Sequence, residues 1–407
     1  MIGAGIVGVS AALWLQRAGR KVTLLDRVGP AGGTSYGNAG VLAAGSIVPV
    51  NVPGLLFKAP RMLLDPNQPL FLKWSYLPRL LPFLQRYLRN GNTPKVVETA
   101  QALHELLHDC ADQHVALARD TGAADYVKTG SYLFGYADKA AFLADSYSWD
   151  IRAKHGLPYR EMDAAAMAAY DPALKDRFGY GVECPQHGLI TDPGAYVIAL
   201  ADALIAGGGT IVAGELQGFD LAEGRAMAAL TDQGRIEAED YVLATGAWSG
   251  PLSRQLGIKV PLESERGYHV EFVDPSITLK SPIMVASGKF VASSMNGRLR
   301  CAGIVEFGGL EATPSRAPFE LLRNNVKRLF PEMTYSRVEE WMGHRPATTD
   351  SLPVIGATPN AENVYVGYGH QHIGLSGGPK TGRWLAQMIT GQPVNTDLSA
   401  FSTDRRA

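Results

Sequence analysis

The sequence predicts a two-domain α/β protein, with a Rossmann-like dinucleotide-binding domain and a second domain built on a mixed β-sheet. Three observations predict it. The chain opens on Gly3-Ala4-Gly5-Ile6-Val7-Gly8, followed by an apolar helical stretch and an apolar strand that ends on Asp26. Related signals return in two later blocks, separated by segments with strand-like alternation. At 407 residues the chain is longer than one simple core usually holds.

Each part of the opening unit has a physical reason. Gly3 permits the tight strand-to-helix turn, Gly5 lets backbone approach a pyrophosphate, and Gly8 lets helix and sheet pack closely. Ile6 and Val7 begin the helix, whose N-terminal N–H groups favour negative phosphate. The strand at 21–25 delivers Asp26 to accept a ribose hydroxyl, about 20 residues after the glycines, with Arg27 beside it. Such a unit normally starts on a buried strand. Only Met1 and Ile2 precede Gly3, so the sequence implies a strand-forming segment upstream.

The second block, 190–262, predicts a helix over 195–206 closed by three glycines. Strands follow at 210–212, around Leu216 and at 236–244, the last running into Thr245-Gly246, where backbone can pass close to a ligand. The third block, 344–407, predicts a strand at 364–366 and a helix over 381–389 closed by Gly391. With residues 1–60 these blocks make the dinucleotide-binding domain. Residues 61–189 and 263–343 make the second domain, with helices over 96–118 and 319–330 and strands near 126–136, 268–272 and 298–305.

A net charge of −1 gives no electrostatic footprint for nucleic acid. The 3 cysteines are far apart and form neither a C-x-x-C pair nor a Cys/His cluster. No disulfide framework or metal site is expected, and the usage fits a reducing, cytoplasmic setting. Residues 38–57 are uncharged but broken by Gly, Pro and Asn, so no membrane span is expected there. Residues 70–89 mix aromatics with Lys73, Arg79, Arg86 and Arg89 and contain no acid. Two readings stay open for them: a peripheral contact with the inner membrane, or a proline-broken helical pair packed on the second domain.

Four segments together carry a family resemblance: the Gly3/Gly5/Gly8 loop with Asp26-Arg27, residues 33–40 (GTSYGNAG), residues 343–356 (GHRPATTDSLPVIG), and residues 367–376 (GYGHQHIGLS) continuing to PKTGR. Over nearly its full length the chain resembles the FAD-dependent D-amino-acid dehydrogenases of the glycine/sarcosine/D-amino-acid oxidase superfamily. The resemblance implies a two-domain flavoprotein that removes the α-hydrogen of a D-amino acid as hydride to flavin N5, giving an imino acid and then a 2-oxo acid. D-Proline and cis-4-hydroxy-D-proline are substrate options. Oxygen-using oxidation of glycine or sarcosine, and service as the flavin subunit of a heteromeric electron-transfer dehydrogenase, remain alternatives.

The resemblance also implies roles. Thr34 and Ser35 contact the pyrophosphate. Asn38, Ala39, Gly40, Val41 and Leu42 run along the flavin ring, and Leu216 flanks the adenine. Gly374, Leu375 and Ser376 aim amides at the edge where reduction places negative charge. Arg345 grips the substrate carboxylate through paired charge-assisted bonds, and Tyr268 is a second candidate for that carboxylate. His370 orients the amine or keeps it neutral, although which of His370 and His372 faces the flavin stays open. FAD is expected to be non-covalent, since Cys301 sits in no attachment motif. The electron acceptor is expected to be a quinone or another carrier, and Lys289 is the nearest candidate for an oxygen-activating lysine.

Overall fold

The three separated blocks meet in one largely parallel sheet. In the computed structural model, which describes residues 1–54, 63, 65, 67–405 and 407, Thr23–Asp26 pairs in parallel with Thr210–Ala213. Tyr241–Leu243 pairs in parallel with Ala361–Tyr368, which carries Val354–Thr358 antiparallel on its other side. Ile2 joins the two halves by bridging both Leu25 and Leu243. Its N–H donates to the Val242 carbonyl at 2.8 Å, its carbonyl accepts from Ala244 at 2.7 Å, and the Met1 carbonyl accepts from Leu25 at 2.8 Å. The central ladder of the sheet is therefore carried by residues 1–3.

Helix Ile6–Arg17 is nearly all apolar because it is covered on several sides. Against it lie Pro193–Ala206 and Gly374–Ile389. A Cβ on Gly382 would meet the Ala11 nitrogen at 2.5 Å, so this glycine is what allows the first and last helices to touch.

The predicted helix over 96–118 is two helices, Thr93–Leu107 and Cys110–Ala118. At the break, Lys380 Nζ donates to the Glu105 carbonyl at 2.6 Å and to Asp109 at 2.9 Å, taking a carbonyl the helical ladder would otherwise use. Both helices lie in the stretch expected to build the second domain. Their buried faces instead join the core around the first and last helices.

The last helix begins at Gly374 rather than near residue 381, and it runs through Pro379. Proline has no N–H, so the Leu375 carbonyl loses its helical partner. His114 Nε2 meets that carbonyl at 2.8 Å, and His114 Nδ1 meets the Tyr196 hydroxyl at 2.9 Å. A buried histidine thus supports the turn that opens the helix.

The second layer is a ten-stranded mixed sheet among the described residues. Its order runs Arg337–Thr348, Leu262–Val273, Arg298–Phe307, Phe290–Met295, Ile283–Val285, Val127–Tyr136, Tyr180–Ile190 and Val41–Leu42, with Leu70–Leu72 and Arg160–Asp163 attached to its side. Val41–Leu42, expected in the dinucleotide-binding domain, is therefore also a strand of the second sheet and ties the two layers together. Helix Arg316–Leu329 covers the far face.

Candidate active site

Two cavities lie between the layers and share Thr34 and Ser35 in their walls. The first, about 330 Å³, is lined by Gly3, Gly5, Asp26, Arg27, Leu216, Thr245 and Gly246. Gly3 has φ +102°, and a Cβ there would lie 2.4 Å from the Ala244 carbonyl oxygen. A Cβ on Gly8 would lie 1.8 Å from the Gly3 carbonyl oxygen. No larger residue fits at either position.

Asp26 ties the turn together. Its carboxylate accepts from Ala4 at 2.7 Å and from Val28 and Gly29 at 2.8 Å each. A carboxylate has about four acceptor positions, so one is left for a hydroxyl. Arg27 lies over the Trp248 ring at 4.3 Å and pairs with Glu215 at 3.3 Å. Trp248 and His344 complete this wall and were not anticipated from the sequence.

Ser35 Oγ accepts from the Ile6 N–H at 2.9 Å where the cavities meet. Helix Ile6–Arg17 starts on Gly5, which offers no side chain to cap it, so Ser35 takes only one of its first N–H groups; it has no acid in its first turn, and Gly374–Ile389, whose start lines the second cavity, has neither a side-chain cap nor an acid there. Elsewhere Asn92 and Asp192 cap helices with their side chains. Helix N-termini that open on a cavity with N–H groups still free are ready to receive negative charge. Two linked cavities, a glycine cradle and two such helix ends fit a long dinucleotide such as FAD.

The second cavity, about 670 Å³, is lined by Ile6, Asn38, Ala39, Val41, Gly374, Leu375 and Ser376 on one side and by Glu265, Trp341, Arg345 and His372 on the other. The loop of residues 33–40 is held from behind. Arg300, in a buried pair with Glu271 at 2.7 Å, donates to the carbonyls of Tyr36 (2.7 Å) and Asn38 (2.6 Å). Gly40 has φ +78°, and a Cβ there would lie 2.5 Å from the Ile190 carbonyl oxygen. Ser376 Oγ bridges the Ala43 N–H and the Val41 carbonyl at 3.1 Å each.

Arg345 reaches the cavity from strand Arg337–Thr348, and its Nη1 donates to Glu265 Oε1 at 3.1 Å. Nε and Nη2 meet no acceptor among the described residues, and neither is sealed off. The guanidinium lies over the backbone of Gly267, where a Cβ would come within 2.5 Å of it.

Several expected positions are corrected. The Tyr268 hydroxyl is not brought to Arg345. It donates to Glu306 at 2.6 Å and accepts from the Ser315 N–H at 3.0 Å, within the buried Arg266–Glu306 pair and the core on the far face of the sheet. Strand alternation explains this: Glu265 and Gly267 lie on the cavity side and His269 meets the Gly37 carbonyl, while the Arg266, Tyr268 and Val270 side chains pack on the far face, with Tyr268 still bordering the cavity. His370 is sealed in the interior with Nε2 against Thr381 Oγ1 at 2.9 Å, and burial pushes its pKa down to about 3. His372, two residues on, is the histidine that lines the cavity. It is open to that cavity yet deep within the fold, and the loss of bulk water lowers its pKa, with Glu265 opposing and Arg345 adding to the effect. Val7, Gly8, Gly40 and Leu42 shape the backbone without lining either cavity, and the Leu42 side chain is core.

Glu265 carried no role in the sequence reading. The available signal was a run of charged residues, Glu263 to Glu271, inside an apolar strand, where charge is rarely buried without a partner or a purpose. Among the described residues no His/Cys/Asp/Glu group is arranged to hold a metal ion, and no helix is long and apolar enough to cross a membrane.

Comparison with known proteins agrees with this geometry. The family described as FAD dependent oxidoreductase matches residues 1–388. A D-amino-acid oxidase of Bradyrhizobium diazoefficiens is 39% identical over 412 residues, covering 100% of this chain and 98% of that protein. A D-amino acid dehydrogenase of Paramagnetospirillum magneticum is 31% identical over 420 residues, covering 100% and 98%. Among solved structures, glycine oxidase from Geobacillus kaustophilus superimposes with a TM-score of 0.75 at 20% identity, covering 100% of this chain and 98% of that one. An L-amino acid deaminase from Proteus myxofaciens gives 0.73 at 16% identity, covering 99% and 92%; at such identities the likeness speaks for the fold. The glycine cradle, the linked cavities and the match along almost the whole length lead to one conclusion: the chain belongs to the FAD-dependent oxidoreductase family.

Proposed function

We propose that this chain oxidatively deaminates D-amino acids with apolar side chains, using non-covalently bound FAD. The observation that carries the reading is Arg345: a cavity-lining arginine with one edge of its guanidinium unpaired among the described residues, next to the cavity that suits the dinucleotide. That edge can hold a carboxylate through two parallel bonds. The relatives named D-amino-acid oxidase and D-amino acid dehydrogenase support the substrate class. Bound FAD would supply the hydride acceptor. Gly3, Gly5, Asp26, Thr34, Ser35, Leu216, Thr245 and Gly246 would hold its adenosine and pyrophosphate, and residues 38–41 with 374–376 its ring. None of Cys110, Cys184 and Cys301 lines either cavity, which supports non-covalent binding.

The chain's own residues then have distinct tasks. Arg345 fixes the carboxylate, an orienting effect that lowers the entropic part of the barrier. His372 is neutral near pH 7 and can take the proton an ammonium must lose before its α-hydrogen departs with an electron pair. Water hydrolyses the resulting imino acid. Much of the cavity wall is apolar, including Val48, Val50, Leu70, Leu72, Leu80 and Leu84, with Ser46 and Tyr87 among them. It gives an aliphatic or aromatic side chain apolar contact.

Lys289 lines the same cavity, and with the D-amino-acid oxidase relative it favours oxygen as an acceptor over a quinone. A quinone or carrier route would use the outer face of residues 74–89, where Trp74 is 60% exposed beside Arg79, Arg86 and Arg89. Anaerobic mixing of the yellow protein with D- and L-amino acids tests the central reading. D-Leucine and D-phenylalanine should bleach the flavin and their L-forms should not. Arg345→Ala should lower kcat/KM roughly 100-fold, the scale of lost charge-assisted bonds. Unimpaired bleaching in Arg345→Ala would refute the assignment. Peroxide formed in air, one per turnover, would establish the oxidase route.

A further inference from the structure

Glu265 is a charged group in the second cavity that the proposed reaction leaves without a task. It and Arg345 are register partners on neighbouring antiparallel strands. Their side chains are 7% and 18% exposed and pair at 3.1 Å. The pair uses one oxygen of the carboxylate and one terminal nitrogen of the guanidinium. Oε2 of Glu265 makes no hydrogen bond among the described residues, yet it is not sealed from the cavity. Its titratable neighbours are Tyr87 and His372, and Arg152 and Lys289 line other parts of the wall.

For a ligand that is only an anion, this arrangement is unfavourable. Glu265 repels an incoming carboxylate and already occupies part of Arg345. For an α-amino acid the balance reverses. The ammonium sits one carbon away from the carboxylate, so a zwitterion meets a cation and an anion set side by side in the matching order. In a protein cavity such a match is stronger than in bulk water, and so is the penalty for a ligand that leaves one charge unanswered.

We propose that Glu265 binds the substrate ammonium through its free oxygen and makes the site selective for amino acids over 2-hydroxy acids and simple carboxylates. This rests on the reading that Arg345 takes the carboxylate. Glu265 acts in recognition, before the proton is lost to His372, and Arg345 and Glu265 together form a zwitterion receptor.

The test uses three ligands of nearly equal shape that lack an α-hydrogen and cannot be oxidised: α-aminoisobutyrate, α-hydroxyisobutyrate and pivalate. Their dissociation constants are read from perturbation of the flavin spectrum in the FAD-loaded protein. In the unsubstituted protein the amino ligand should bind at least roughly 10-fold more tightly than the hydroxy ligand, with pivalate weakest. Glu265→Gln should close most of the amino–hydroxy gap, while the hydroxy ligand and pivalate hold or improve.

Equal weakening of all three in Glu265→Gln would mean that Glu265 only orients Arg345, and the proposal falls. Equal affinity for amino and hydroxy ligands in the unsubstituted protein overturns it without any variant, so a folding failure of Glu265→Gln does not protect it. Arg345→Ala separates the underlying reading: it should weaken all three ligands, and unchanged binding of all three would refute the carboxylate role itself.

Discussion

Gly267 gives the sharpest handle on Arg345 because it changes no charge. An added Cβ would sit 2.5 Å from the guanidinium, which is the movable end of a long side chain. Gly267→Ala should therefore fold with little change in melting temperature and lose kcat/KM on the order of 100-fold, as expected when a positioning group is displaced by about an ångström. Steady-state kinetics beside a thermal melt checks both halves. His372 calls for a pH experiment. Its pKa is lowered by its place deep in the cavity, so the neutral, proton-accepting form persists below the usual histidine range. The acid limb of kcat should lie below pH 6.5 and disappear or move in His372→Gln. An unchanged profile in that variant would remove His372 from proton transfer.

At the scale of elements, the segment expected to run beneath the flavin is held by a residue that never touches the cavity. Arg300 donates to two loop carbonyls and pairs with Glu271, which also meets Arg298 at 3.3 Å. Arg300→Met leaves a buried carboxylate with one remaining partner, and such breaks cost about 3–5 kcal/mol. The low end is expected here because Arg298 stays. Adding Glu271→Met should restore much of the melting temperature but not the loop bonds. Flavin retention on gel filtration should then remain poor in the double variant, and full retention would show that the loop holds itself. Helix Leu77–Arg89 shows how one element can serve two surfaces. Leu80, Phe83 and Tyr87 are buried, and Leu80, Leu84 and Tyr87 line the cavity, while Leu81 and the arginines face outward.

Across the whole molecule, buried neutral histidines set an acid limit. Burial holds His114, His187 and His344 at about 4 and His269 and His370 at about 3. Unfolded, each would titrate near 6.5. Between these values the unfolded chain binds more protons than the folded one, so stability rises with pH through that window and is complete above it. The melting temperature should be nearly flat from pH 7 to 8 and fall progressively below about 6.5, with carboxylate effects joining at lower pH. A melting temperature that held steady down to pH 5 would contradict this.

The sequence by itself determined the dinucleotide unit, because its requirements are local. A turn with positive φ at Gly3, close packing at Gly8 and an acid at the end of the next strand are all set by near neighbours. It also carried Arg345 and the loop at 33–40 through their motifs. Other features were decided only when distant segments met. The choice of His372 over His370 depends on which side chain Thr381 captures, eleven residues away on the last helix. The turning of the Tyr268 hydroxyl away from Arg345 depends on the pleat of its strand and on Glu306, 38 residues on. The placement of helices 93–118 depends on Lys380 and the core around the first helix. Glu265 gains its meaning from a register partner 80 residues distant. Local geometry is written in neighbouring residues, but the direction a side chain faces in a ten-stranded sheet is fixed by pairing, which no single segment contains.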